Sequence, residues 1–354
     1  MTAEVSRRGI ELWMASSNIG GQAVVIARQA EAQGFDGVSF GDTQCQSPDA
    51  FVGLTVAAAA TERLQLGVGV ANPVTRHPSV LACAIATVQL ASGGRTVLGM
   101  GRGDSAVAKI GLPAATVGEL ERYLVRLQAY LSGQLVSEDG PLAQLTWIDA
   151  LSIPKVPVDV AATGPGVIGV GARLAERVTL NVGADPDRVR RGVELARQAR
   201  QAAGLAPDGL SLGAYVNVAP YPDPHIAQEL VKPVVAVYAR FSGMGQRLVD
   251  ELDPRDASVI QAVAEHYDMS RHGRGGAAHL DYLTEDFVDR FGVAGTPQYC
   301  IDRLAGLAAL GLDRLAIVGP SPDAAPEIVG ESRRLLSEVV FPGVREAVAA
   351  RGTS

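Results

Sequence analysis

Residues 97–107, VLGMGRGDSAV, place three glycines, an arginine and an aspartate directly behind a short apolar run. Such a turn suits a phosphate cradle, an Arg-Gly-Asp adhesion loop, or a rim that offers Asp104 and Ser105 to a bound molecule. A second glycine-rich stretch, GPGVIG at 164–169, follows another apolar run and has Asp185 about twenty residues beyond it, the spacing of a dinucleotide fingerprint. Pro165 is awkward in a turn that must wrap closely round a pyrophosphate, and the helix opened there is short. An anion needs only free N–H groups and the positive end of a helix dipole, so Thr163, Gly164, Pro165 and Gly166 can hold a phosphate without a dinucleotide-binding fold. Cys45, Cys83 and Cys300 form no CxxC pair, and none of the five histidines has HExxH spacing, so no metal is expected.

These residues need a scaffold, and one pattern recurs along the chain. A short apolar run leads to a polar or glycine-rich junction and then to a helical stretch. The runs are IELWMA, DGVSF, LQLGVGV, TVLGM, VPVDVAA, RVTLNV, LSLGAYVNVA and LDRLAIVG, eight in all. Strict alternation implies parallel strands with helices outside, and eight units argue for a closed (β/α)8 TIM barrel of the α/β class. In the third unit, Leu64, Leu66, Val68 and Val70 share one parity and are expected to face one way. Pro78 opens the helix that follows, and Gly93 with Gly94 ends it.

The chain reads as a single domain over residues 1–354 with two insertions. Residues 133–150 contain LVSEDGPLAQLTWI, which reads as a hairpin after the fourth strand with its turn at Asp139 and Gly140. Residues 221–296 follow the seventh strand, carry helical patterns and the loop SRHGRGGAAH, and are expected to wall or cover a pocket. TPQYCIDRLAGLAALGLDRLAIVG reads as a helix capped by Thr296, ended by Gly311 and followed by the last strand.

With 47% hydrophobic and 19% charged residues the chain is globular, and its net charge of −7 argues against a nucleic-acid interface. Lysine occurs only at Lys109, Lys155 and Lys232, so an anion site must rely on arginine or backbone N–H groups. No apolar run reaches membrane-spanning length, no long apolar leader is present, and the odd cysteine count suits a reducing compartment; a cytoplasmic protein without membrane contact is expected.

In α/β barrels the chemistry sits where strands end and βα loops begin. The junctions supply Asp42 and Thr43 after the second run, Asn72 after the third, Arg102, Asp104 and Ser105 after the fourth, Thr163 to Gly166 after the fifth, and Asp185 after the sixth. Asp, Asn, Ser and Thr at these places are equally ordinary helix caps, so each aspartate has two readings at this point.

Taken together, the chain resembles the bacterial luciferase-like oxidoreductase superfamily, in particular the branch that uses the deazaflavin coenzyme F420. The stretch VGVANPVTRHPSVLACAIATVQLASGGRTVLGMGRGDS is similar to that of methylene-tetrahydromethanopterin reductases and their actinobacterial relatives. AATGPG, HGRGGAAH and FVDRFGVAGTPQYCIDRLAGLAALGLDRLAIVG carry the same likeness. The resemblance implies a rim pocket for the coenzyme, with a non-proline cis peptide at Gly69–Val70 in a bulge ending the third strand. It implies that Gly69, Val70 and Ala71 lie behind the ring, and that Ala162, Thr163, Gly164, Pro165 and Gly166 hold the coenzyme phosphate. Asp42 and Thr43 would lie near the ring and its hydroxylated chain, Asp42 being a catalytic candidate as well. Asp104 and Ser105 would face the ring, with Asp104 as the proton donor. Trp13, Arg76 and His279 are candidates for the substrate pocket. Arg271, His272 and Arg274 are candidates for the anionic polyglutamate tail, with solvated loop charge as the other reading.

Sugar-phosphate dehydrogenases of this branch carry a histidine directly after the residue matching Asp42. Thr43 stands there in this chain, and a threonine hydroxyl does not accept a proton at neutral pH as an imidazole does. The expected activity is therefore hydride transfer from F420 to an organic small molecule, in the reductase direction. The alternatives are an FMN-dependent luciferase-like monooxygenase and, from another class, a flavin-binding protein without catalysis; an NAD-dependent enzyme ranks last. Luciferase-like barrels pair, so a homodimer is expected.

Overall fold

The computed structural model describes residues 9–137, 142–148, 150, 153–243, 253–321 and 323–352. In chain order the elements are β1 (Glu11–Ser16), α1 (Ala23–Ala32), β2 (Gly37–Phe40), α2 (Ala50–Ala60), β3 (Gln65–Ala71), α3 (Pro78–Ala91), β4 (Thr96–Met100), α4 (Ser105–Ala108), α5 (Val117–Leu131), β5 (Val158–Ala162), α6 (Pro165–Leu174), β6 (Arg177–Leu180), α7 (Pro186–Ala202) and β7 (Ser211–Pro220). There follow α8 (Pro224–Ser242), α9 (Pro254–Glu265), α10 (Glu285–Phe291), β8 (Gly292–Gly295), α11 (Pro297–Ala308), β9 (Arg314–Val318), α12 (Pro326–Leu335) and α13 (Phe341–Gly352).

The strands form one sheet in the order β6-β5-β4-β3-β2-β1-β9-β7-β8, and β6 also pairs with β7, which closes it. The fold is a (β/α)8 TIM barrel. Its eight strands are the expected runs, now β1 to β7 and β9. β8 is an addition inside the second insertion: residues 292–295 pair in parallel with residues 217–220 of the long strand β7, whose earlier residues 213–217 pair with β9. The first insertion shows one antiparallel bridge, Val136 to Ala143, as a hairpin requires. The turn expected at Asp139 and Gly140 lies outside the described residues.

The chain divides into two compact units. One comprises Met14–Val178 and Leu195–Leu210. No residue of its strands β2 to β5 is exposed, and β4 is buried throughout, as suits parallel strands under helices. Two clasps fix the entry to β3 and β4. Glu31 accepts the N–H groups of Glu62, Arg63 and Leu64 at 3.1, 2.7 and 2.9 Å. Burial pushes the Glu31 carboxyl up, but these three bonds and the charge of Arg63 outweigh it and hold it below the ordinary glutamate range. The Arg95 guanidinium donates to the carbonyls of Ala58, Thr61, Leu64 and Ser92 at 2.7 to 3.0 Å. Five carbonyl and hydroxyl acceptors around one rigid fork explain why arginine, not lysine, stands here.

The opposite end of β3 is bulged. Val68 pairs with Leu98 but the next pairing is Ala71 with Met100, so Gly69 and Val70 together face Gly99 alone. The Gly69–Val70 peptide is cis. The even-numbered alternation expected through Val70 therefore stops at Val68: the inserted residue turns Val70 toward Gly99 and Gly101 instead. A β-carbon on Gly99 would sit 2.1 Å from the Val68 carbonyl oxygen, and one on Gly101 would sit 2.9 Å from a Val70 methyl. The glycines of VLGMGRGD make a seat for the bulge.

The other unit comprises Met1–Trp13, Thr179–Glu194 and Ser211–Ser354. Arg314 of β9 is fully buried and lies across Gly213 of β7, where a β-carbon would meet its Cβ and Nε at 3.0 Å. The guanidinium donates to Ser211 Oγ at 2.6 Å and to Thr179 Oγ1 at 3.0 Å, which gives two of its buried donors acceptors. The second insertion forms α8, α9, α10 and two single-turn helices around an apolar core of Val231, Val235, Ile260, Val263, Phe287 and Phe291. Phe287 and Phe291 stack at 4.0 Å on successive turns of α10.

Overpacking of a fitted site costs about 1–3 kcal/mol, and the obstruction at Gly99 is backbone, so Gly99→Ala is expected to lower the free energy of unfolding by at least about 2 kcal/mol. Gly330 in α12 has open space around it, and Gly330→Ala is expected to add about 0.5–1 kcal/mol through helix propensity. Urea denaturation of the two variants measures both, and a Gly99→Ala protein as stable as the parent would contradict the seat.

Candidate active site

At the end of β2, the chain turns through Gly41, Asp42 and Thr43. Asp42 is buried, with 3% of its surface exposed. Thr43 opens the next turn, its carbonyl accepting the N–H groups of Gln46 and Ser47. Burying a carboxylate requires a partner, and Asp42 has one in Arg76, thirty-four residues on, whose Nη1 donates to its Oδ2. Arg76 is shared. Its Nη2 donates to Asp49 Oδ2 at 3.1 Å, and its guanidinium lies 4.8 Å from the centre of the Phe51 ring. Asp49 in turn caps α2, its Oδ1 accepting the N–H groups of Phe51 at 2.8 Å and Val52 at 3.1 Å. The Arg76 carbonyl accepts the Tyr123 hydroxyl of α5 at 2.9 Å, which ties the loop after β3 to the helix layer.

Burial is the strongest influence on the Asp42 carboxyl and pushes it up; Arg76 pulls it down, and Asp49 adds a push upward. The result lies above the ordinary aspartate value. Arg76 itself is held above its ordinary value, because the two carboxylates outweigh its own burial. Among the described residues the other carboxylate oxygen of Asp42, Oδ1, has only a 3.4 Å contact, from Gln44 Nε2.

Asn72 follows the bulge. Its Oδ1 accepts the N–H groups of Val74 and Thr75 at 3.0 and 3.1 Å, forming an Asx turn that leads into the Arg76 loop. Its Nδ2 is buried without a hydrogen-bond partner. Gly69 is a glycine for a reason behind it: a β-carbon there would meet Ser39 Oγ of β2 at 2.8 Å. Val70 is half-buried and Ala71 buried.

After β4, Gly103 has φ +91°, a conformation that favours glycine, and Asp104 and Ser105 begin the short helix α4. The Asp104 side chain does not cap α4, and Asp104 and Ser105 are both half-buried. Asp185 contrasts with it: its Oδ1 accepts the N–H groups of Asp187 and Arg188 at 2.9 and 3.1 Å and caps α7. After β5, Ala162 is buried, Thr163 is half-buried and Gly164 stands at the N-cap of α6 with Pro165 and Gly166 in its first turn. Gly164 has no side chain to cap that helix, which suits its first N–H groups to water or an anion.

Trp13 and His279 belong to the other compact unit. Trp13 is buried and its indole N–H donates to Glu11 Oε2 at 3.1 Å. His279 is fully buried, stacks on Tyr267 at 4.3 Å and accepts the Asp268 N–H at Nδ1. Burial, against the charge of Asp268, pulls its imidazole below the ordinary value. In the SRHGRGG loop, Arg271 donates to the Gly275 carbonyl, His272 Nδ1 meets the Tyr267 hydroxyl at 3.0 Å, and Arg274 pairs with Asp323 at 3.4 Å.

The structure thus brings Asp42 and Arg76 into direct contact, and the bulge of β3, set against Gly99 of β4, leads into the loop that carries Arg76. Sequence reasoning missed Asp49, whose only local signal is its place before the apolar helix α2. It also missed Gln44, Phe51 and Tyr123, which carry no signal of the site. Among the described residues there is no group of three or more histidine, cysteine, aspartate or glutamate side chains able to hold a metal, and no helix long and apolar enough to cross a membrane.

Known proteins are similar to this chain in sequence and in fold. The 5,10-methylenetetrahydromethanopterin reductase of Methanopyrus kandleri is 29% identical over 305 residues, 78% of this chain and 84% of the relative. The F420-dependent glucose-6-phosphate dehydrogenase of Beutenbergia cavernae is 35% identical over 163 residues, 42% of this chain and 48% of the relative. The solved structure of the coenzyme F420 dependent tetrahydromethanopterin reductase from Methanopyrus kandleri superposes with a TM-score of 0.75 at 24% identity, over 95% of this chain and 99% of that one, which shows the shared fold. Residues 14–314 match the sequence model described as luciferase-like monooxygenase, and the chain belongs to that family.

Proposed function

We propose that the chain is an oxidoreductase that transfers a hydride between the deazaflavin coenzyme F420 and an organic small molecule, in the reductase direction. The observation that carries this reading is Asp42: buried at the end of β2, held through one carboxylate oxygen by Arg76, with the other oxygen turned to no strong partner. The names of the relatives, F420-dependent glucose-6-phosphate dehydrogenase among them, support it. Thr43 in place of a histidine speaks for reduction over sugar-phosphate oxidation.

The residues present suit the coenzyme. Asp42 Oδ1 would accept a hydroxyl, the buried Nδ2 of Asn72 lacks an acceptor among the described residues, and the start of α6 would offer N–H groups to a phosphate. Gly69, Val70 and Ala71 would hold the ring, and Ala162, Thr163, Gly164, Pro165 and Gly166 the phosphate end. When bound, the reduced coenzyme supplies the hydride. The chain's own part is to orient the two reactants and to deliver a proton, which we assign to Asp104, with Ser105 beside it. Arg76, Trp13 and His279 remain our candidates for the substrate side.

Residues 1–354 are read as one luciferase-like domain, since the family match runs through both compact units. Self-association as a homodimer is supported by α2, apolar on all sides, whose Val52 and Val56 are 65% and 44% exposed, and by Val80 and Leu90 of α3 at 56% and 47%. The three free cysteines support a cytoplasmic setting.

Titration of the apo-protein with F420 and with FMN, followed by fluorescence, tests the reading. Saturable F420 binding and turnover with an electron-poor acceptor are expected. Tight FMN binding with no F420 binding would establish the monooxygenase alternative, and F420 binding without turnover on any acceptor a carrier of the coenzyme. Asp104→Asn is expected to lower kcat about 100-fold with coenzyme affinity retained; unchanged turnover would remove Asp104 from the proton-donor role.

A further inference from the structure

Arg76 presents a planar fork, and such forks prefer to grip one carboxylate with both arms. Here the fork is split. Nη1 is on Asp42 Oδ2, while Nη2 is on Asp49 Oδ2, 3.1 Å away. Asp49 is itself immobilised, because its Oδ1 caps α2 through Phe51 and Val52. The Phe51 ring, 4.8 Å from the guanidinium, restrains the plane further. The consequence lies at Asp42 Oδ1, whose one hydrogen-bond contact among the described residues is Gln44 Nε2 at 3.4 Å, at the far end of hydrogen-bonding range.

We propose that Asp49 is a positioning residue for the coenzyme site: by holding one arm of Arg76 it keeps the arginine monodentate on Asp42 and leaves Asp42 Oδ1 available to a hydroxyl of the coenzyme. This rests on the placing of the coenzyme beside Asp42. Without the Asp49 carboxylate, Nη2 is released and closes on Oδ1, competing with the ligand for the same lone pairs. Asp49 is 47% exposed and Arg76 16%, so the outer arm is the weaker one and the inner arm stays in place when it is lost.

Asp49→Asn separates this role from the cap, since asparagine caps a helix as well as aspartate does but carries no charge. The melting temperature is expected to stay close to that of the parent, while the F420 dissociation constant rises about threefold to tenfold. In an Arg76→Lys background, where a single nitrogen cannot grip both oxygens, the same substitution is expected to change the constant by less than about twofold. The pH profile gives a second readout. The charged groups acting on Asp42 are Arg76 and Asp49, with Gln44 as its neutral partner. Asp49 pushes the Asp42 carboxyl up, so its neutralisation lets the carboxyl fall, and the acid limb of F420 affinity moves to lower pH.

Equal F420 affinity in Asp49→Asn and parent, or an undiminished effect in the Arg76→Lys background, would overturn the proposal. Asp42→Asn keeps the two readings apart. If it weakens F420 binding while Asp49→Asn does not, only the role of Asp49 falls. If it leaves F420 binding unchanged, the placing of the coenzyme falls and the proposal with it.

Discussion

The carbonyl oxygen of Val68 occupies the place where any side chain on Gly99 would have to begin. That single close approach fixes how β3 and β4 end. With it, the chain fits two residues of β3 against one of β4, and Ala71 returns to register with Met100. Everything after the bulge is placed by it: the Asx turn of Asn72, the loop that Tyr123 anchors, and Arg76 at its end. The clasps of Glu31 and Arg95 hold the other end of the same strands, so the bulge cannot be relieved by sliding β3.

A buried charge follows from this placement. Asp42 loses its hydration, and the arginine that compensates it arrives from a loop whose course the bulge dictates. Removing Arg76 would leave the Asp42 carboxylate desolvated and uncompensated, a more serious loss than the net worth of the pair, whereas Arg76 without Asp42 would still hold Asp49. Asp49 makes the arrangement a three-member network that also starts α2. The carboxylate, the arginine and the helix start are therefore fixed together, and a binding site built on them needs little rearrangement to receive a ligand.

Much of the barrel is written locally. Alternating runs and junctions give all eight strands, and Thr296, Pro78 and the pair Gly93 and Gly94 mark helix ends as their backbone preferences require. The chemistry is less local. The Asp42–Arg76 pair joins residues thirty-four apart and has no spacing signature. Parity counting carries Val70 onto the wrong face, because a bulge inserts a residue that periodicity cannot see. Nor does the sequence show that the missing β-carbon of Gly69 makes room for Ser39 on the neighbouring strand. β8 escapes notice because four residues, GVAG, have no strand propensity of their own and become a strand by pairing with β7. Asp104 and Asp185 are alike as junction residues, and only the hydrogen bonds show that Asp185 caps its helix through its side chain and Asp104 does not.

The central claim is that the bulged end of β3 and the buried pair beside it form a coenzyme site whose open acceptor is Asp42 Oδ1. A crystal structure of the chain with F420 tests it most directly. The account predicts a coenzyme hydroxyl within hydrogen-bonding distance of Asp42 Oδ1, Arg76 still divided between Asp42 and Asp49, and the ring against Val70. A coenzyme bound with Asp42 Oδ1 unapproached, or with both arms of Arg76 on Asp42, would contradict it.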